Sequence, residues 1–187
     1  MKADWVNKFE KEGTYKETFT DINGDESEID FMHQAADFKY YENGDTKAVK
    51  LPYKNGLSMV VVLGDTKNIL NDIHNNKMTS KLVDVSLPKF KAEYSIDYVN
   101  ILKNMGIEKA FDNQNADFSL MLENYPERIK IDSVLQKAMI DVDEKGTEAA
   151  AATVAVLTKS ALSVDEEVIE FRADKPFTYY KIGRAHV

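Results

Sequence analysis

Hydrophobic and polar positions change period several times along the chain, and each change marks an element. From Thr14 to Leu63 the pattern is a β-meander punctuated by three Asn-Gly pairs: Asn23-Gly24, Asn43-Gly44 and Asn55-Gly56. Asn-Gly suits tight hairpin turns because both residues accept positive φ at low cost. About five strands are predicted here. The last, Leu57 to Leu63 (LSMVVVL), is almost wholly apolar, as expected of a strand buried on both faces. A short helix is predicted from Asp65 to Asn76, with Ile69, Leu70 and Ile73 on one face.

Alternation then returns. Val83, Val85 and Leu87 alternate with Asp84 and Ser86, but after Pro88 the apolar set becomes Phe90, Ala92 and Tyr94. A phase flip at a proline predicts a strand that changes partners or bulges there. A second helix is predicted next. Ser95 is its N-cap, Tyr98, Ile101, Leu102 and Met105 form its stripe, and Gly106 stands at its C-terminal cap. A long strand follows from Ile131 to Asp143, with Val134, Ala138, Ile140 and Val142 on one face, and VIEF makes a further strand.

Composition narrows the function classes. The chain has 187 residues, 43% hydrophobic and 30% charged, which suits one globular domain with its own core. A net charge of −8 argues against a nucleic-acid binder. No apolar run reaches the length of a membrane span. Without cysteine there is no thiol nucleophile, disulfide or thiolate metal site. The N-terminus MKADWVNKFEKEG has no apolar segment and does not read as a signal peptide. His33, His74 and His186 lie in separate segments, and Asp141, Asp143 and Glu144 read as the solvent face of a strand end. Phosphate-loop, nucleophile-elbow and zinc-helix motifs are lacking. No catalytic residue, metal ligand or cofactor is assigned.

The segment Glu144 to Leu162 conflicts with its surroundings. Glu148-Ala149-Ala150-Ala151-Ala152 is a strong helix former, yet Gly146 and Thr147 precede it and Thr153, Val154 and Val156 follow. Local preference at odds with context tends to mark a functional site. The run Glu144-Lys145-Gly146-Thr147-Glu148-Ala149-Ala150-Ala151-Ala152-Thr153 resembles the reactive-loop hinge of the serpins almost residue for residue. Other serpin-like stretches fall in family order: Trp5, Phe9, Thr14 and Phe19; Phe31-Met32-His33-Gln34; Leu51-Pro52-Tyr53; Leu87-Pro88-Lys89-Phe90; Met105-Gly106-Ile107; and Ala173-Asp174-Lys175-Pro176-Phe177.

The resemblance implies an α+β fold of mainly antiparallel mixed sheets, a few helices and an exposed reactive-centre loop at about residues 144–166. It implies a suicide pseudosubstrate: a protease cuts the loop, becomes acylated, and the loop enters the central sheet as a new strand. An inserting strand buries every second side chain. Thr147, Ala149, Ala151 and Thr153 share that parity and are small and uncharged, while Glu148 has the opposite parity; Gly146 lets the backbone swing. Family spacing places the reactive bond at Ser160-Ala161, implying an elastase-like or other small-pocket target. A register shorter by one makes it Lys159-Ser160 and implies a trypsin-like target. The expected partner is a serine or cysteine protease, with no nucleic acid and no membrane, and the full-length protein is expected to be a monomer. The compartment is unread from the residues; the resemblance alone leans toward the extracellular side. The alternative is a non-inhibitory serpin acting as carrier, chaperone or storage protein.

Trp5 and Gln136 match the region where the sheet opens, although Gln136 stands where the family often has His. Residues 1–181 correspond to the C-terminal portion of one serpin domain, truncated at both ends, and 182–187 read as a non-native tail resembling a translated sequencing adapter. The fragment alone is expected to be inactive and, with strand partners missing, loosely folded.

Overall fold

The computed structural model describes residues 3–121, 129–147 and 168–183. The chain divides into two compact units, Met1–Phe90 with Asp141–Val187, and Lys91–Ile140. In order the elements are β1 (Ala3–Asp4), β2 (Thr14–Thr20), β3 (Glu26–Asn43), β4 (Thr46–Pro52), β5 (Ser58–Leu63), α1 (Ile69–His74), β6 (Thr79–Pro88), β7 (Phe90–Asp97), α2 (Val99–Asn104), β8 (Leu135–Val142), β9 (Gly146–Thr147), β10 (Ile169–Arg172) and β11 (Thr178–Ile182). The fold is α+β, mainly sheet with few helices.

The first unit is organised by a seven-stranded sheet ordered β10-β6-β3-β4-β5-β11, with β2 also paired to β3. Every pairing in it is antiparallel except β10 on β6. Four strands, not five, occupy Thr14 to Leu63. No glycine or proline interrupts Glu26–Asn43, so it runs as one 18-residue strand. Its start pairs with β2, its middle with β6 and its end with β4. At the three Asn-Gly turns only Gly24, Gly44 and Gly56 take positive φ; the asparagines do not.

The core forms where the apolar runs stack. Met59, Val60, Val61 and Val62 of β5 are fully buried, as the unbroken apolar run predicts. Tyr41, Ala48, Val60, Val62, Ile69 and Met78 form one cluster, with Ile73, Tyr180 and Ile182 against it. Each such aliphatic side chain contributes about 1.5–3 kcal/mol when fully buried. α1 is only six residues long, and Leu70 faces solvent while Ile69 is buried. Ile182, which the sequence assigns to a tail, instead ends β11 opposite Ser58. Residues 184–187 lie outside the described residues.

Pro88 is where the chain changes partners. β6 lies between β3 and β10, whereas β7 pairs with β8, and Lys89 is the single residue between them. In the second unit α2 starts at Val99, not after Ser95, because β7 continues through Asp97. Asp97 accepts from the backbone N–H of Val99 at 3.0 Å and of Val134 at 3.1 Å. Gly106 follows the helix at φ 93°, as a C-terminal cap requires. The strand predicted from Ile131 is shorter, starting at Leu135. Among the described residues no helix is long and apolar enough to cross a membrane.

Candidate functional site

The described part of the 144–166 segment is its entrance, a turn from β8 into β9. Val142 is buried, and the chain then reverses over Asp143 to Gly146. Gly146 N–H donates to the Asp143 carbonyl and Asp143 N–H to the Gly146 carbonyl, both at 3.2 Å. Asp143 Oδ1 accepts from the N–H of Lys145 at 2.9 Å and of Gly146 at 3.2 Å. A short acidic side chain bonding two residues onward is the usual chemistry of such a turn.

The opposite side of the turn is held by the start of the chain. Ala3 pairs with Thr147 and Asp4 with Gly146, antiparallel. Gly146 is thus bridged on one side by Asp143 and on the other by Asp4. Three successive carbonyls accept from this segment: Asp143 from Trp5 Nε1 at 3.0 Å, Glu144 from Phe9 N–H at 3.2 Å, and Lys145 from Trp5 N–H at 3.2 Å. Trp5 itself is buried, stacked on Tyr53 at 4.3 Å and 11° and edge-on to Phe9 at 6.1 Å. The rings fix the indole, and the indole N–H fixes the turn.

Gly146 has a steric role here. Its φ is 129°, and a Cβ would overlap the Ala3 carbonyl oxygen and stand 2.8 Å from Asp4 Cα. No side chain fits between β1 and the turn.

Glu144 departs from the sequence expectation. It is only 6% exposed, so it does not belong to a solvent face. Its Oε1 lies 2.9 Å from Lys89 Nζ, across the break between β6 and β7. Burial pushes its pKa up, but the Lys89 bond, with backbone and Thr14 bonds, outweighs this and holds the carboxyl below its ordinary value. The Glu144 bond in turn raises Lys89. A buried acid needs a partner. Lys89 follows the proline where the strand changes phase.

The structure brings Trp5, Glu144, Gly146 and the Thr147 backbone together. Gln136 is exposed on β8, in the other unit. Glu148, Ala149, Ala150, Ala151, Ala152, Thr153, Lys159, Ser160 and Ala161 lie outside the described residues.

Comparison with known proteins bears on this arrangement. The serpin family model, described as serine protease inhibitor, matches residues 1–183. A serpin-like protein of Methanosarcina mazei is 38% identical, with 96% of this chain and 44% of that protein covered. Serpin B6 of Pongo abelii is 31% identical, with 96% and 50% covered. Among solved structures, the thermophilic serpin tengpin in its native state matches with a TM-score of 0.77 and 30% identity, covering 96% of this chain and 49% of that one. Thyroxine-binding globulin in complex with thyroxine shares the fold at a TM-score of 0.79 and 23% identity, with 98% and 50% covered. The chain therefore spans about half the length of the curated relatives it matches. A family match along nearly its whole length, over a turn built from the residues that carry the resemblance, makes this chain a member of the serpin family.

Proposed function

We propose that residues from about 144 to 166 are the reactive loop of a protease inhibitor that works as a suicide pseudosubstrate. Serpins generally inhibit proteases. The observation that carries the reading for this chain is the hinge composition. Thr147, Ala149, Ala151 and Thr153 can each enter a sheet interior without burying a charge. The double bridging of Gly146, between Asp143 and Asp4, supports it. A strand continuing past Thr147 would carry those four residues on one face.

In this reading the target's serine hydroxyl attacks the Ser160 carbonyl. The amine of Ala161 leaves with a proton, and the protease is left esterified to Ser160. Insertion of the loop then carries the acyl-enzyme away from the geometry that would hydrolyse it. The Lys159-Ser160 register gives the same chemistry with a trypsin-like target.

The test uses the intact protein mixed with trypsin, elastase, chymotrypsin and subtilisin. A complex that survives boiling in detergent is expected, with its junction at Ser160-Ala161 or Lys159-Ser160. Clean cleavage in the loop with no complex would reject the inhibitor reading and leave a carrier or storage role.

A further inference from the structure

The seven-stranded sheet carries a polar group that the hinge does not use. The register sets His33 opposite Ser86 and Ser86 opposite Arg172, so the three form a row across β3, β6 and β10. Glu17 and Tyr15 join it from β2. Glu17 is shared between two partners: Oε2 lies 2.6 Å from Arg172 Nη2, and Oε1 lies 3.4 Å from His33 Nε2. His33 Nδ1 stands 3.0 Å from Ser86 Oγ, and the Tyr15 ring covers the imidazole, stacked at 4.3 Å and 5°. Nε2 is buried and makes no hydrogen bond in this arrangement.

Arg172 ends β10, the strand by which the chain rejoins the sheet after residues 148–167. β10 is four residues long and, among the described residues, pairs only with β6. So short a ladder holds weakly; the Arg172–Glu17 bond reaches from β10 to β2, beside the backbone bond that Thr20 N–H donates to the Asp174 carbonyl at 2.9 Å.

We infer that His33 is a proton-controlled latch on β10: neutral, it leaves Glu17 to Arg172; protonated, it draws Glu17 to itself and loosens the strand.

The asymmetry between the two cations decides the direction. Neutral His33 shares a hydrogen bond between Nδ1 and Ser86 Oγ, with the donor set by its tautomer, and has no charge with which to compete. Protonated, it has an N–H at both nitrogens, and the one at Nε2 is already within ion-pair reach of Glu17. His33 is held between the stacked Tyr15 ring and Ser86, its side chain 16% exposed. Arg172 is freer: its side chain is 38% exposed, with Asp174 at 3.7 Å and Glu170 at 3.9 Å as alternative partners.

The groups acting on the imidazole come from every neighbouring strand. Burial is the largest influence and lowers its pKa; Glu17 of β2 and Asp84 of β6 oppose this, Arg172 of β10 adds to it, and the net value lies below the ordinary one. Tyr15, raised chiefly by burial, stays neutral throughout. A lowered folded-state value means that protonation works against the fold. The latch is closed above the ordinary histidine value of about 6.5 and opens as the pH falls through the lowered one.

The inference stands whether or not the loop inhibits a protease. Its test is hydrogen exchange of the amides of residues 169–172 in the intact protein at pH 7.5 and 5.5, corrected for intrinsic rates. Wild type is expected to lose at least about threefold in protection on acidification. His33→Gln is expected to change less than twofold. Glu17→Gln is expected to be poorly protected at both pH values. Equal wild-type protection at the two values, or the same loss in His33→Gln, overturns the latch. If His33→Gln does not fold, the imidazole C–H titration of wild type by NMR decides. Its midpoint must coincide with that of the exchange change, and a mismatch overturns the proposal.

Discussion

Lys89 and Glu144 show how much one pair of side chains can hold. Glu144 is buried at the mouth of the 144–166 segment, and its carboxylate is balanced by an ammonium only one-third exposed. Removing the cation leaves a desolvated charge, which costs more than the bond is worth net. Lys89→Met is therefore expected to lower stability by about 1–3 kcal/mol near neutral pH. The pH dependence follows from the lowered carboxyl. The pair contributes fully above the ordinary carboxylate value and is lost as the pH drops through the lowered one. Thermal melts from pH 7 down to pH 3 check this. The Lys89→Met and wild-type curves should converge at the acid end, and a constant gap would show that the ion pair is not the cause. None of this was legible as a pair. Each residue was singled out separately, Lys89 in the strand entry and Glu144 in the hinge. Their 55-residue separation hid the contact. Gly146 was legible as a glycine that mattered, but its reason was not: the nearby Ala3 carbonyl excludes a Cβ.

At the level of elements, alternation was a reliable guide wherever one face of a strand is buried. Val83, Val85 and Leu87 are fully buried as their spacing predicts, and the flip at Pro88 marks the exchange of partners between β6 and β7. The pattern failed at boundaries. Ser95 is a good cap by type, but pairing with β8 extends β7 past it. About five strands are expected from Thr14 to Leu63, but the three Asn-Gly turns separate only four, because nothing interrupts Glu26–Asn43. The same alternation gives the hinge its test. Thr147, Ala149, Ala151 and Thr153 occupy one parity. If the loop inserts as proposed, Ala151→Glu would place a charge where insertion requires an apolar environment, at a cost of several kcal/mol unless it is neutralised. The intact variant is expected to be cleaved as a substrate, with the fraction trapped as complex falling at least about tenfold, since every 1.4 kcal/mol shifts the partition tenfold. Ala150→Glu, of opposite parity, should trap nearly as well as wild type. Equal loss in both would show that parity is irrelevant. Partitioning on denaturing gels measures it.

At the scale of the molecule, the second unit leaves apolar surface exposed. Tyr94 on β7 and Leu135 and Met139 on β8 are 54%, 65% and 67% exposed, and among the described residues the two strands pair only with each other. A two-stranded sheet with an uncovered apolar face is marginal in water and prone to self-association. The 187-residue chain is expected to elute as a concentration-dependent oligomer in size-exclusion chromatography and to bind a hydrophobic dye. Leu135→Lys with Met139→Lys should reduce both signals, and a sharp monomer peak from the unaltered chain would contradict the expectation. What the sequence by itself determined was the family, the fold class, the strands with one buried face, and the run of small uncharged residues at 147, 149, 151 and 153. Those features are written in residue type and short-range period, which act between near neighbours. Only the tertiary structure decided that Trp5 and Phe9 together hold three carbonyls of the turn, that Lys89 answers Glu144, and that Glu17 stands between His33 and Arg172. Those are meetings of residues far apart along the chain, and sheet register, which no local pattern contains, is what brings them within bonding distance.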